Sequence, residues 1–132
     1  MTLDDINPKS KIWIGRGLSG IPVLMLLASA GMKLANAPGL DAGFDHLGLP
    51  LEHAFGLGIL ELSCTLIYLI PRSKVLGAIL LTGYLGGATL AHVRVSDPFY
   101  TQPLLGAMLW GGLYLRDARL RTLLPFVNHP RM

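Results

Sequence analysis

Apolar residues in this chain gather into four long runs and show no strict alternation. The runs are Ile12 to Met32, interrupted by Arg16 near its start, Ala54 to Ile70, Val75 to Ala91, and roughly Pro98 to Leu115. A helix of about 17 to 25 apolar residues spans the ~30 Å of a bilayer's hydrocarbon, and the lack of period two argues against strands of a barrel. Thr101, Gln102 and Pro103 interrupt the fourth run, so its helix is expected to start near Pro103, because proline suits the first helical position. The pattern predicts an all-α fold: an integral membrane four-helix bundle forming one transmembrane domain over residues 1–132, with helices at about 12–34, 52–70, 74–93 and 103–117.

The polar stretches between the runs predict how the helices connect. Pro71-Arg72-Ser73-Lys74 is the short polar turn of an antiparallel helical hairpin. Arg94 to Gln102, turning at Asp97-Pro98, joins the third and fourth helices. Residues 35–51, ANAPGLDAGFDHLGLPL, are too apolar for a free loop and are expected to lie on the outer surface as an interfacial segment or lid. Gly83 and Gly87 on the third helix have the spacing that lets membrane helices approach closely.

Composition and charge agree with lipid as the solvent. The chain is 52% hydrophobic and only 14% charged, with a mean hydropathy of +0.51. Lys9, Lys11, Arg16, Arg72, Lys74, Arg116, Arg119, Arg121 and Arg131 fall on one side of the four spans, and only Lys33 and Arg94 on the other. That asymmetry predicts cytoplasmic N and C termini in a multi-pass cell-membrane protein. It accounts for the net charge of +3 without nucleic acid. Ala28-Ser29-Ala30 imitates a signal-peptide cleavage site, but Asp4, Asp5 and the central Pro22 argue against a cleaved leader. Cys64 is the single cysteine, which leaves no intramolecular disulfide and marks it as a small packing residue.

Glu61 is the anomaly in this pattern. It lies in the apolar stretch LGILELSCTLIYLI, on the order of 13 Å below Glu52 at the outer end of the second helix. An isolated charge at that depth costs at least ~2.5 to 3.5 kcal/mol, so Glu61 must face the bundle interior, protonated or paired. Ala54, Gly58, Cys64, Thr65 and Tyr68 share its side of the helix, a small and polar stripe. Thr82, Gly83 and Tyr84 lie at similar depth on the third helix. Glu61 is therefore a candidate proton relay, with a neutral carboxyl that hydrogen-bonds helices together as the structural alternative.

A second polar set belongs to the outer ends of the helices: Lys33, Asp41, Asp45, His46, Glu52, His53, His92, Arg94 and Asp97. They could ring a mouth leading inward. His92 joins Glu61 as a candidate catalytic residue, and Lys33 and Arg94 are candidates for binding a substrate's polar groups. Tyr68, Tyr84 and Trp110, with Phe55, would supply flat aromatic walls. The histidine and carboxylate spacing matches no zinc pattern, and His53 and His92 sit too near the surface for haem, so metal and haem are both disfavoured.

Gly31-Met32-Lys33-Leu34, Leu60-Glu61-Leu62, Ile70-Pro71-Arg72, Gly83-Tyr84-Leu85-Gly86-Gly87-Ala88 and His92-Val93-Arg94 together resemble the DoxX-like family of small four-helix membrane proteins. The resemblance implies the architecture, and through the family's association with quinone-linked oxidation it implies a quinone as one cofactor or substrate class. It assigns no catalytic residues.

These features predict an interior polar pocket that binds a lipophilic small molecule, with Glu61 managing a proton, as part of a quinone-linked oxidoreductase. A non-enzymatic membrane subunit or assembly factor, and a proton-coupled carrier of a small solute, are the alternatives. The expected partners are the lipid bilayer, the lipophilic ligand, and either a partner membrane subunit or a second copy of the chain.

Overall fold

The computed structural model describes residues 3–124. His129 and Arg131 of the basic tail lie outside the described residues. Among the described residues the fold is helical, without strands: α1 (Pro8–Leu34), α2 (Leu40–His46), α3 (Ala54–Leu69), α4 (Lys74–Arg94), α5 (Thr101–Arg116) and α6 (Ala118–Leu123), with short 3-10 turns at Leu3–Asp5 and Leu51–His53. The described residues form six helices where the hydrophobic pattern predicts four. The two extra ones are short.

Capping chemistry accounts for the differences. α1 starts four residues before its apolar run because Asn7 accepts a hydrogen bond from the Lys9 amide (2.9 Å) and Pro8 occupies the first turn. The Lys9-Ser10-Lys11 turn is helical although it is polar. α5 starts at Thr101, ahead of Pro103, since first-turn amides have no helical acceptor to lose. Asp117 ends α5 by turning extended (φ −119°, ψ 107°) and caps α6 through the Arg119 amide. Within residues 35–51, α2 forms with Asp41 in its first turn and buries Phe44.

α1 and α4 each pack against both α3 and α5. The buried core runs through Val23 and Leu26 of α1, Cys64 and Tyr68 of α3, Leu81 and Leu85 of α4, and Leu105, Leu109 and Leu113 of α5. Two glycines set the tightest approaches. A methyl group on Gly77 would strike the Tyr68 backbone, and one on Gly112 would strike the Ser19 side chain and the Gly15 carbonyl. Close backbone contact of this kind supplies packing where hydrocarbon outside is as apolar as the interior.

The outward faces are apolar as well. Ile21 and Leu24 of α1, Ile59 and Leu66 of α3, Ile79 and Leu90 of α4, and Leu104 of α5 are all exposed. Surfaces of that kind are foreign to a water-soluble monomer. α1 and α4 are each long and apolar enough to cross a membrane, while α3 and α5 have 16 residues apiece.

The end of α5 is fastened to the start of α4. Lys74 Nζ lies 3.3 Å from Asp117 Oδ2, and the Arg119 guanidinium lies 3.8 Å from Oδ1. Burial pushes the Asp117 carboxyl up, but the Arg119 amide and the Lys74 ammonium outweigh it and hold it below the ordinary aspartate value.

Candidate functional site

The stripe of α3 that contains Glu61 is the buried one. Ala54, Gly58, Glu61, Cys64, Thr65 and Tyr68 are its buried residues, and Glu61 is only 2% exposed. Thr65 turns its hydroxyl back onto the Glu61 carbonyl (2.7 Å), which spares the core an unpaired hydroxyl.

The Glu61 carboxylate has a cation. Lys33 Nζ donates to Glu61 Oε2 at 2.8 Å and to Ser29 Oγ at 2.5 Å, and Ser29 Oγ donates to the same Oε2 at 3.2 Å. Tyr84 of α4 faces this carboxylate with its hydroxyl. Lys33 stands level with Gly58, where a methyl group on the glycine would come within 2.9 Å of Lys33 Cβ. Its side chain therefore reaches about one helical turn inward to Glu61 and does not extend toward the outer surface. Of the two states open to a buried Glu61, protonated or paired, the geometry is that of a pair, and the partner is Lys33, in the last turn of α1. The Lys33 side chain retains 15% exposure against 3% for Glu61, so the pair is open on the ammonium side.

Chemically, this is a carboxylate, an ammonium, a serine hydroxyl and a phenol drawn together between three helices. Such a group can exchange a proton among its members, and it can hydrogen-bond a carbonyl or hydroxyl that approaches Lys33.

The other residues singled out in the sequence are dispersed. Tyr68 lies on the Glu61 stripe but in a different network, nearer the N-terminal end of α1. Its hydroxyl donates to the Leu109 carbonyl (2.8 Å), so the 2.7 Å bond to Ser19 must have Ser19 as donor. Arg116 Nη2 in turn donates to Ser19 Oγ at 2.9 Å. Trp110 donates to Thr82 Oγ1 (2.8 Å), and Thr82 donates to the Ala78 carbonyl. Phe55 is 59% exposed and faces outward.

His92 holds the Ala88 carbonyl through Nδ1 (2.8 Å), with the Gln102 amide beside it at 3.4 Å. The bond to a carbonyl places the proton of neutral His92 on Nδ1 and leaves Nε2 as the free base. Arg94 is exposed, with its guanidinium next to Gly48. His46 of α2 lies 2.8 Å from Asp97, which ties residues 35–51 to the segment between α4 and α5. No group of three or more His, Cys, Asp or Glu is placed to hold a metal among the described residues.

Two open depressions mark the same end of the molecule. One of about 430 Å³ is lined by Asp41, Ala42, Asp45, Leu49, Pro50 and Leu51, and one of about 310 Å³ by Val93, Ser96, Asp97, Pro98, Phe99 and Tyr100. Neither includes Glu61. Ser29 is the member of the polar centre that the sequence did not single out, although its position one turn before Lys33 was a readable signal.

No curated protein and no solved structure matches the chain significantly. The sequence profile of the DoxX-like family matches residues 17–112, a span that runs from the first turns of α1 through Lys33, Glu61, Tyr84 and His92 into α5. The chain belongs to the DoxX-like family.

Proposed function

We propose that this chain is a multi-pass cell-membrane protein whose Lys33–Glu61 centre binds the polar head of a lipophilic small molecule, a quinone being the class favoured, and moves a proton at that site. Family membership and the two long apolar helices support a membrane protein. The finer topology rests on packing and charge: α1, α3, α4 and α5 form a four-helix transmembrane bundle with both termini cytoplasmic.

One observation carries the functional reading, the 2.8 Å ion pair between Lys33 and a Glu61 that is almost wholly buried. Burying two charges costs several kcal/mol of desolvation per ion, which their attraction only about repays, and apolar residues of similar size often stabilise a fold as well or better. A charged pair kept at this position is better accounted for by use than by stability. The opening on the ammonium side gives a ligand oxygen a donor to meet. Ser29 and Tyr84 supply hydroxyls on either side, and His92 and Arg94, at the end of α4, stand on the outer approach. In a quinone-linked reaction the chain would act as one component, with electrons supplied by a partner subunit or by the substrate.

Mass spectrometry of organic extracts from gently purified wild type and Glu61→Gln tests this. Retention of a carbonyl-bearing lipophile by wild type, and its loss from a folded Glu61→Gln protein, is the expected outcome.

A second reading, a subunit or assembly factor that binds another membrane helix, is favoured by the outer face of α4. Gly83, Gly86 and Gly87 all face open space there. An unchanged ligand content in Glu61→Gln, together with loss of a partner on Gly87→Leu, would favour this second reading.

A further inference from the structure

At the N-terminal end of α1, Lys9 and Arg16 are exposed cations. Arg16 holds its guanidinium 5.1 Å from the centroid of the Trp13 ring, and Trp13 is 69% exposed. Lys9 precedes Trp13 by one turn and Arg16 by two, so all three lie on one side of α1, and all are exposed.

The turn after α3 brings a third cation, Arg72, to this level. The Ser19–Tyr68 bond pairs the two helices at 2.7 Å, and Arg16 and Arg72 each lie about one turn from that bond toward the same end. Among the described residues no ion pair links Lys9, Arg16 or Arg72 to a carboxylate, whereas Lys33 is met by Glu61, and Lys74 and Arg119 by Asp117. Past Arg16 the flank turns apolar. Gly17 and Gly20 leave open space beside the backbone, and Leu24, 69% exposed, follows.

We propose that this flank is a docking site for an anionic phospholipid. The phosphate is held by Arg16 with Lys9 and Arg72, the glycerol region lies against the Trp13 ring, and an acyl chain runs over Gly17 and Gly20 toward Leu24. Each part follows from its chemistry. A guanidinium offers forked donors to phosphate oxygens, an indole suits the boundary between headgroup and hydrocarbon, and a Gly-lined strip lets a chain lie close to the helix. A soluble anion would use the cations alone. The apolar strip directly beyond them selects a ligand that has both a charge and a hydrocarbon tail. The inference is independent of the Lys33–Glu61 centre, which lies toward the opposite end of α1.

Native mass spectrometry of the full chain in detergent tests the site, with phosphatidylglycerol and phosphatidylcholine of matched acyl chains as probes. Phosphatidylglycerol is expected to be retained several-fold better than phosphatidylcholine. Arg16→Ala should reduce that retention about fivefold, the equivalent of roughly one basic residue near an anionic headgroup. Trp13→Ala should also reduce it, and serves as the independent arm if Arg16→Ala lowers helicity. Arg119→Ala, with a side chain 92% exposed and already beside Asp117, should leave retention unchanged. Equal retention of the two lipids, wild-type retention in both Arg16→Ala and Trp13→Ala, or stripping of the lipid by inorganic phosphate would overturn the proposal.

Discussion

Two serines of α1, about 15 Å apart along the helix, show two ways of placing polar groups in an apolar bundle. Ser19 belongs to a chain of donors with one consistent direction, from Arg116 to Ser19 to Tyr68 to the Leu109 carbonyl. It lies where Gly15 and Gly112 let α1 and α5 touch. Ser29 belongs to a charged group, with Lys33 and Glu61 sharing its hydroxyl and Tyr84 facing the carboxylate. The first network fastens three helices, and its tyrosine and serine are buried. The second holds a buried charge pair with one open edge. The first network has uncharged side chains at its buried centre and ends on a backbone carbonyl, whereas a buried carboxylate whose ammonium is partly open is arranged for something to arrive.

Breaking the charged group should have the largest effect. Glu61→Leu or Lys33→Met alone strands the other charge in the apolar interior and should cost about 3 to 5 kcal/mol, read as a lower unfolding midpoint in mixed detergents or as lost expression. The double variant Lys33→Met with Glu61→Leu strands nothing and should recover most of that loss.

Closing the glycine approaches comes next. Gly112→Ala should cost about 1 to 3 kcal/mol by forcing α1 from α5 at Ser19, and Gly77→Ala should do the same between α3 and α4. Neither should alter ligand content per folded molecule. Tyr68→Phe removes the bonds to Ser19 and the Leu109 carbonyl and should cost about 1 to 2 kcal/mol, with the Lys33–Glu61 centre unaffected.

The smallest effect belongs to Asp117, outside both networks. Its carboxyl titrates below the ordinary aspartate value in the folded protein, so the folded state binds fewer protons there than the unfolded chain. Its contribution is therefore complete above the unfolded pKa of about 3.9 and is lost as pH falls through the lower folded value. Asp117→Asn should remove that acid-side dependence of the melting temperature while leaving the neutral-pH value only slightly lower.

The comparison also explains what the sequence could reveal. Glu61 and its stripe were legible because burial on one side of a helix follows from spacing alone: Ala54, Gly58, Cys64, Thr65 and Tyr68 are buried with it. The all-α character was equally legible, because continuous apolar runs have no other use at that length. The pairing of Glu61 with Lys33 was hidden. It depends on the level at which α1 meets α3, set by the contact of Gly58 with Lys33 and Leu34, and on a lysine that reaches inward where a lysine near a helix end normally extends toward water. Tyr68 and Tyr84 both looked like walls of one pocket. Helix contacts separated them, sending Tyr68 to Ser19 and Tyr84 to Glu61. The breaks at Asp117 and around α2 escaped the hydrophobic pattern because they are made by caps and turns, which carry little apolar signal.

The most direct test is to extract purified wild type and the Lys33→Met, Glu61→Leu double variant with organic solvent and compare what each releases by mass spectrometry. A folded, fully helical double variant that has lost a carbonyl-bearing lipophile present in wild type is the predicted result. A double variant that keeps the same lipophile at the same stoichiometry, or a wild type that releases none, would contradict a role for the charge pair in binding.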